Sequence, residues 1–388
     1  MHSNSTKLPP PSPSHVLRVH AANVNTVEFS SDNERLYSAD VSGTVVITST
    51  RTLRPIASWK AHTDSVLRVQ EWDTNIITHG RDNKLHVWAR VASIPSVGDA
   101  AQSPDLPTPE LRYSLDVNAL NFCAFSLHDA GQNALIAVPN LIESSVADIW
   151  LLPSCTRLHA AVGKVDAPEI GMKSWEPESD GRGNAKTGIL MALHLFRKSD
   201  DLHLLSAYES GEVALRRCVA ATDKTIEGIG WERLWITKLH VESVMSMAVS
   251  HDCSFALTVS ADHIIGQYKL FECEGEQFTK QRTKHAGNGG IKLRSDGRVC
   301  VVGGWDGKVR LFSTKSFKSL GTLSYHTKSC PALAFAHSKP TPNSTVENIE
   351  EDDEWTDEEK ERRSRWLATG SQDNRISIWQ LMDFSSSK

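Results

Sequence analysis

The chain has 388 residues, 39% of them hydrophobic and 23% charged, with a net charge of −5 at pH 7. This is the composition of an ordinary globular protein, and no run approaches the roughly 18 apolar residues that a membrane span needs. Between Glu347 and Arg365, ten acidic and four basic residues give a charge of −6, so the remainder is nearly neutral and lacks the basic face that nucleic-acid binding requires.

The N-terminal segment, residues 1–14, contains four prolines and no apolar stretch. It is predicted to be disordered, and a secretory signal is excluded. The seven cysteines are widely spaced and include no C-x-x-C pair. This pattern argues against a zinc ribbon or a thioredoxin-type motif and is typical of reduced thiols in the nucleus or cytosol.

One pattern recurs from His20 onwards: a His, an apolar stretch of period two, a small-residue turn with Asp, and a short alternating strand. The clearest copy runs from His62 through Asp82 to Trp88. The other pairs are His20 with Asp40, His240 with Asp262, His285 with Asp306 and His326 with Asp373. Their His-to-Asp separations, in chain order, are 20, 20, 22, 21 and 47, and the last contains the acidic stretch. This is the signature of a WD40 blade, with four antiparallel strands per roughly 40-residue repeat.

Two weaker copies without the His lie in the middle, at residues 118–150 and 189–215, and Glu209 replaces the turn Asp in the second. Five clear copies and two weaker ones predict an all-β, seven-bladed WD40 β-propeller that occupies residues 15–380 as a single domain. His15–Val19 precede the first His as a fourth strand precedes the next blade. This N-terminal strand is therefore predicted to complete the last blade and to close the ring.

Three segments interrupt the repeats: Pro-rich residues 90–112, the Gly-, Pro- and charge-rich residues 163–188, and acidic residues 339–365. Residues 381–388 are predicted to be a C-terminal tail. In the acidic segment Asp357–Arg365 could form a short helix, although its composition favours disorder at the centre.

Asp82, His62 and Thr78 supply the carboxylate, imidazole and hydroxyl of a nucleophilic triad. A catalytic triad would not recur five times in register, so these groups are interpreted, with Trp88, as a buried hydrogen-bond relay that ties a turn to the next strand. The relay residues predicted across the blades are His20, Asp40, His62, Thr78, Asp82, Trp88, His240, Asp262, His285, Asp306, His326, Asp373 and Trp379.

Other chemical motifs are incomplete. Residues 181–188 resemble a phosphate-binding loop, but Ala185 stands where a Gly must precede Lys186. Neither His79 with His86 nor His194 with His203 has the spacing of a zinc site. No catalytic residue, cofactor, metal or small-molecule substrate is therefore predicted.

The predicted activity is binding to other proteins. Residues just before the turn Asp point outward from one face, which makes Arg81, Trp305 and Gln372 candidate partner contacts. Trp355 is a candidate apolar anchor within the acidic segment, which either docks on a basic partner surface or is a solvated excursion.

Five features of the sequence carry a resemblance to a known family. They are the order of clear and weak copies, the Pro-rich loop after the second copy, the Ala207–Gly211 turn, the opening His20–Asn25 and the closing Ala368–Ile376. Together they resemble the fungal ASTRA-associated WD-repeat family, which is similar to the vertebrate guanine-nucleotide-binding-protein β-like WD-repeat protein. The resemblance implies a nuclear ASTRA-complex subunit linked to chromatin remodelling, with the cytoplasm as a second location. It also implies association with the Tel2–Tti1–Tti2 assembly that matures PI3K-related kinases, and no catalytic residues.

Three alternatives remain. A G-protein-β-like signalling subunit would need an N-terminal coiled-coil helix, which the Pro-rich Met1–Ser14 does not supply. A peptide or histone-tail reader fits the predicted fold. A propeller enzyme is disfavoured because no unrepeated acid–base cluster is visible.

Overall fold

The computed structural model describes residues 11–91, 106–118, 120, 122–164, 187–220, 224–272, 276–338 and 355–384. These residues form seven sheets of four strands, and all the strand pairings are antiparallel. The seven-bladed propeller predicted from the repeats is confirmed.

The first four blades follow the chain in order. Blade 1 contains β2 (Val24–Phe29), β3 (Arg35–Asp40), β4 (Thr44–Ser49) and β5 (Pro55–Lys60). Blade 2 contains β6 (Val66–Trp72), β7 (Asn75–Gly80), β8 (Lys84–Ala89) and β9 (Leu111–Asp116). Blade 3 contains β10 (Ser126–Ala130), β11 (Asn133–Pro139), β12 (Ala147–Leu152) and β13 (Thr156–Val162). Blade 4 contains β14 (Leu190–Lys198), β15 (Asp201–Tyr208), β16 (Glu212–Cys218) and β17 (Trp231–Lys238).

The last three blades complete the ring. Blade 5 contains β18 (Val244–Val249), β19 (Phe255–Ser260), β20 (Ile264–Lys269) and β21 (Phe278–Arg282). Blade 6 contains β22 (Asn288–Leu293), β23 (Val299–Gly304), β24 (Lys308–Ser313) and β25 (Ser319–Ser324). Blade 7 contains β26 (Ala332–Phe335), β27 (Trp366–Gly370), β28 (Ile376–Gln380) and the N-terminal β1 (His15–Leu17).

The N-terminal strand closes blade 7, as predicted. β1 pairs with β28 in the register His15 to Ile378 and Leu17 to Ile376. The backbone N–H of Ser14 extends this pairing by donating to the carbonyl of Ile378 at 2.8 Å. The outer edge of β28 is therefore covered by the other end of the chain.

The core lies between neighbouring blades. The second strands β3, β7 and β23 are buried at every position because they are packed on both faces, and most of their residues are apolar or small. One cluster joins Tyr37 and Ile47 of blade 1 to Val69 and Ile76 of blade 2. Equivalent clusters lie at the other junctions, so each blade is stabilised chiefly by its neighbours.

The first strand of each blade lies innermost, and several of these strands pack side by side, as β2 does against β6 and β26. Because strands alternate in direction, the loops before each first strand and between the second and third strands emerge on one face of the ring. We call this the upper face. The loops between the first and second strands and between the third and fourth strands emerge on the opposite, lower face.

One helix, α1 (Asp357–Ser364), lies within the acidic segment, on the connection between β26 and β27. The Thr356 side chain accepts a hydrogen bond from the backbone N–H of Glu359, three acidic residues occupy the first turn, and two arginines occupy the last. Capping and favourable interaction of these charges with the helix dipole explain why so polar a segment is helical.

The predicted insertion 90–112 ends earlier than expected, because Leu111 and Arg112 pair with blade 2 as the start of β9. Much of the three predicted insertions, namely 92–105, 165–186 and 339–354, lies outside the described residues, as do 1–10 and 385–388. In the predicted tail, Leu381 is buried and its N–H donates to the carbonyl of Arg365 at 3.0 Å. Within the described part of the chain, no helix is both long and apolar enough to span a membrane.

Candidate functional site

The repeated His and Asp of blade 2 form a closed hydrogen-bond relay. His62 contacts the Asp82 carboxylate through Nδ1 at 2.9 Å and the Thr78 hydroxyl through Nε2 at 2.8 Å. The Trp88 indole N–H donates to the same hydroxyl at 2.9 Å. Asp82 also accepts from the backbone N–H of Thr63 at 2.8 Å. The relay therefore connects the loop before β6 with the turn after β7 and with β8.

Burial fixes the protonation states in this relay. Burial lowers the pKa of His62, and Asp82 compensates only in part. Burial alone would raise the pKa of Asp82, but hydrogen bonds from the Thr63 N–H and the His62 ring hold it below its usual value. A neutral His62 thus donates to an ionised Asp82 at neutral pH. The His62 side chain is 0% exposed, so a substrate cannot reach it.

Blades 5 and 7 contain the same arrangement. His240 contacts Asp262 at 3.0 Å and Thr258 at 2.7 Å. His326 contacts Asp373 at 3.0 Å and Thr369 at 3.0 Å. In blade 7, Ser377 joins the network and accepts from the Trp379 indole at 2.8 Å, whereas in blade 5 the Tyr268 hydroxyl replaces the tryptophan.

Blade 1 reaches the same contact from a different position. Asp40 pairs across the sheet with Val24, and the equivalent pair in blade 2 is Gly80 with Val66. Asp40 therefore occupies the position of Gly80, which is two residues before the position of Asp82. His20 still contacts Asp40 at 2.8 Å and Ser38 at 2.8 Å. Asp40 also accepts from the backbone N–H groups of Ser42 and Thr44. One carboxylate therefore serves both the relay and the turn.

The predicted relay between His285 and Asp306 is wrong. Lys284, not His285, lies four residues before the first paired position of β22, which is where His62 lies relative to β6. His285 is consequently exposed. Asp306 instead accepts two hydrogen bonds from Arg310, at 3.1 and 2.5 Å. A separation of 21 residues matched the other copies in length but placed the His one residue out of register.

One group of side chains in the described structure is close enough together to hold a metal ion. The ligand atoms of His62, Asp82 and His86 all lie within 4.8 Å of one another. Both nitrogens of His62 already have partners, and His86 contacts Ser114 through Nδ1 at 2.7 Å. The His62 and His86 rings are stacked with centroids 4.7 Å apart. The relay and this stack account for the arrangement without an ion.

The upper face contains a cavity of about 530 Å³ at the mouth of the central channel. Arg81 and Gln372, both predicted as partner contacts, line this cavity. Trp305 lies beside it, 49% exposed, with its indole against Gly287 and Gly289. A Cβ at Gly287 would lie 2.9 Å from the Trp305 ring, so glycine leaves room for the indole. The three residues thus share one face, and their role in binding stays a prediction.

Trp355, in contrast, is not available as an exposed anchor. It is 8% exposed, and its ring packs against the Arg363 guanidinium at 3.8 Å and that of Arg51 at 5.1 Å. Arg363 also donates to the carbonyl of Thr50. Trp355 therefore packs α1 against blade 1 and does not face a partner. The prediction placed the basic surface on a partner, but the arginines that contact the Trp355 ring belong to this chain.

Several cavity residues were not recognised in the sequence. Glu28, Arg68, Lys292 and Met247 lie on first strands, whose inward positions alternate with packed ones, and Phe122 lies just before β10. The signal that could have found the strand residues is charge on an otherwise apolar first strand. Phe122 belongs to a weak copy, where no motif marks the register.

The family model described as ASTRA-associated protein 1 matches residues 13–368, and that described as WD domain, G-beta repeat, matches residues 362–380. Among curated relatives named ASTRA-associated protein 1, that of Verticillium alfalfae is 33% identical, covering 96% of this chain and 93% of the relative. The Aspergillus niger protein is 30% identical over 98% and 99%, and that of Schizosaccharomyces pombe 27% over 96% and 99%.

A solved structure, the Cps50 (Swd1) β-propeller domain of Myceliophteria thermophila, matches with a TM-score of 0.64 and 14% identity. The match covers 96% of this chain and 100% of that domain. It supports the propeller fold.

Proposed function

The chain belongs to the ASTRA-associated protein 1 family, and from this membership we propose that it is a non-catalytic scaffold subunit of the nuclear ASTRA complex. A WD-repeat propeller with these relatives is a scaffold-type protein. In the proposal it holds other subunits together in chromatin remodelling. It also contacts the Tel2–Tti1–Tti2 assembly that matures PI3K-related kinases.

The match over residues 13–368 carries this proposal. The geometry supports its non-catalytic part, because the groups that could form a triad are buried and bonded to one another in four blades. A buried relay of this kind stabilises loops. The upper face, in contrast, exposes large apolar side chains, which are typical of a protein-binding surface.

The test is affinity purification of the tagged full chain from a fungal host, followed by mass spectrometry and by imaging of a fluorescent fusion. We expect recovery of ASTRA and Tel2–Tti1–Tti2 subunits and nuclear fluorescence. A variant that lacks Met1–Val19, and with them the strand that closes blade 7, controls for loss of the closed ring. Recovery of none of these subunits by a folded wild-type chain would refute the proposal.

A peptide reader is the second candidate, and the channel-mouth cavity favours it. It is compatible with the scaffold, since a scaffold can hold a partner through one extended segment.

A further inference from the structure

We propose that the channel mouth on the upper face binds an extended protein segment that presents a carboxylate side chain next to a large apolar side chain, with the carboxylate bound by Arg81, whose guanidinium stacks on the Phe122 ring. This inference rests on the proposed scaffold function and names the surface and the chemistry of one partner.

The Arg81 guanidinium is available for a ligand. It stacks over the Phe122 ring at 4.4 Å, and Phe122 itself is 55% exposed. The buried Arg81 Nε has no acceptor. Neither its Nε nor its terminal nitrogens bond to another described residue. An arginine whose plane is held by an aromatic ring, with its donors unused, is organised to bind a carboxylate in bidentate geometry.

The charges that line the cavity favour an acidic ligand. They are three cations, Arg68, Arg81 and Lys292, and one carboxylate, Glu28. Lys292 lies 3.6 Å from Glu28, so that carboxylate is already matched. The remaining positive charge would repel a basic tail and attract an acidic segment. This observation separates the proposal from a histone-tail reader.

The opposite side of the mouth is apolar and adaptable. Met191 of blade 4 and Met245 and Met247 of blade 5 line the cavity across from the Arg81–Phe122 pair. Met245 is exposed, as is Val241 in the loop before it. Methionine side chains conform to ligands of different shape, and they suit one large aliphatic or aromatic side chain. The exposed Trp305 lies on the same face and extends the apolar surface.

The probe is a phage library of random linear peptides of roughly 12 residues, selected on the purified full chain. The variant is Arg81→Glu, and the matched control is Arg54→Glu, which changes an exposed arginine between β4 and β5 on the lower face. Since the Arg81 side chain makes no hydrogen bond to a described residue, the Arg81→Glu variant is expected to have the same Tm as wild type. Phe122→Ser provides a second variant at an exposed position.

We expect enriched peptides to share Asp or Glu close to Leu, Ile, Met or Phe. A synthetic peptide of this kind should bind wild type and Arg54→Glu equally, and Arg81→Glu at least about tenfold more weakly. Replacing the peptide carboxylate by Lys should restore binding to Arg81→Glu, because the charges are exchanged. Enrichment of basic peptides, no enrichment, or binding that Arg81→Glu leaves unchanged would each overturn the proposal.

Three further outcomes are distinguishable. If Arg81→Glu changes the elution volume of the free protein on size exclusion, the mouth is occupied by a second copy, and the proposal is wrong. If wild type and Arg81→Glu recover the ASTRA subunits equally and the peptide result is also negative, only this inference fails. If wild type recovers none of them, the proposed function fails, whatever the peptides show.

Discussion

Removal of the Asp82 carboxylate tests whether the relay is structural. Asp82→Ala leaves the Nδ1–H of His62, whose side chain is 0% exposed, without its acceptor, and it also removes the acceptor of the Thr63 N–H. An orphaned buried donor costs about 1–3 kcal/mol. Thr63 is exposed, and water can replace its lost bond. We therefore expect a loss of about 2 kcal/mol, which lowers the Tm of a ring of this size by about 2–5 °C.

The measurement is thermal unfolding at pH 7.5, with Asp129→Ala as control. Asp129 is exposed and accepts one hydrogen bond from the Gly131 N–H within its own turn, so its removal should change stability by less than about 0.5 kcal/mol. Asp82→Asn keeps an acceptor and should fall between the two. An Asp82→Ala protein with wild-type stability but without partner binding would refute the structural interpretation, and equal losses in Asp82→Ala and Asp129→Ala would refute the role of burial.

Three other predictions concern closure, the helix and pH. Deletion of Met1–Val19 should lower the Tm sharply because the edge of β28 is exposed, whereas deletion of Met1–Ser12 should not; equal melting of both forms would contradict the closure. Arg363→Gln should cost about 1–3 kcal/mol in urea unfolding because its contacts with Trp355 and Thr50 are lost, while Arg362→Gln, on the exposed side of α1, should be neutral. Burial lowers the pKa of His79 to about 3, so below pH 6.5 the unfolded chain binds a proton that the folded chain does not. Stability should therefore be level above about pH 7.5 and fall by about 1 kcal/mol per unit below 6.5 from this residue alone. His79→Gln should reduce that slope, and an unchanged slope would show that other groups cause it.

The fold could be predicted because the repeat is redundant. Each blade repeats the same pattern of strands and turns, so an error in the interpretation of one copy does not change the predicted number of blades. The strand that closes the ring could also be predicted, since His15–Val19 stand before His20 as later fourth strands stand before their own His. The helix α1 could not be deduced from its composition alone, because its stability depends on Thr356, on the helix dipole and on Arg51 of blade 1, which is distant in sequence but adjacent to blade 7 in the ring.

The relay was less predictable than its spacing suggested. His20 to Asp40 and His62 to Asp82 have the same separation, yet the first pair starts from a longer first hairpin and uses an earlier position. The prediction for His285 was wrong for a related reason, because the number of residues between two positions does not determine which residues pair across the sheet. Sheet register depends on turn geometry, which cannot be deduced from the His-to-Asp spacing.

Trp355 shows a different limit. An isolated tryptophan within a charged segment was interpreted as a contact for a partner, whereas Arg51 and Arg363 of the same chain cover it. The two arginines are separated by most of the sequence, and nothing local connects them. Long-range pairs of this kind appear only when the ring has been closed.

Pairing between residues as distant as His15 and Ile378 also determines when synthesis can yield a finished ring. β1 leaves the ribosome before the other described strands of the ring, and it pairs with β28, which is made after all of them. Blades 1 to 6 can form in order during translation, but blade 7 must wait until β28 has left the ribosome. A messenger truncated shortly before Ile376 would therefore yield a protein with both ends unpaired, recognisable to chaperones and proteases by its two open edges. The ring therefore closes only after β28 has been made.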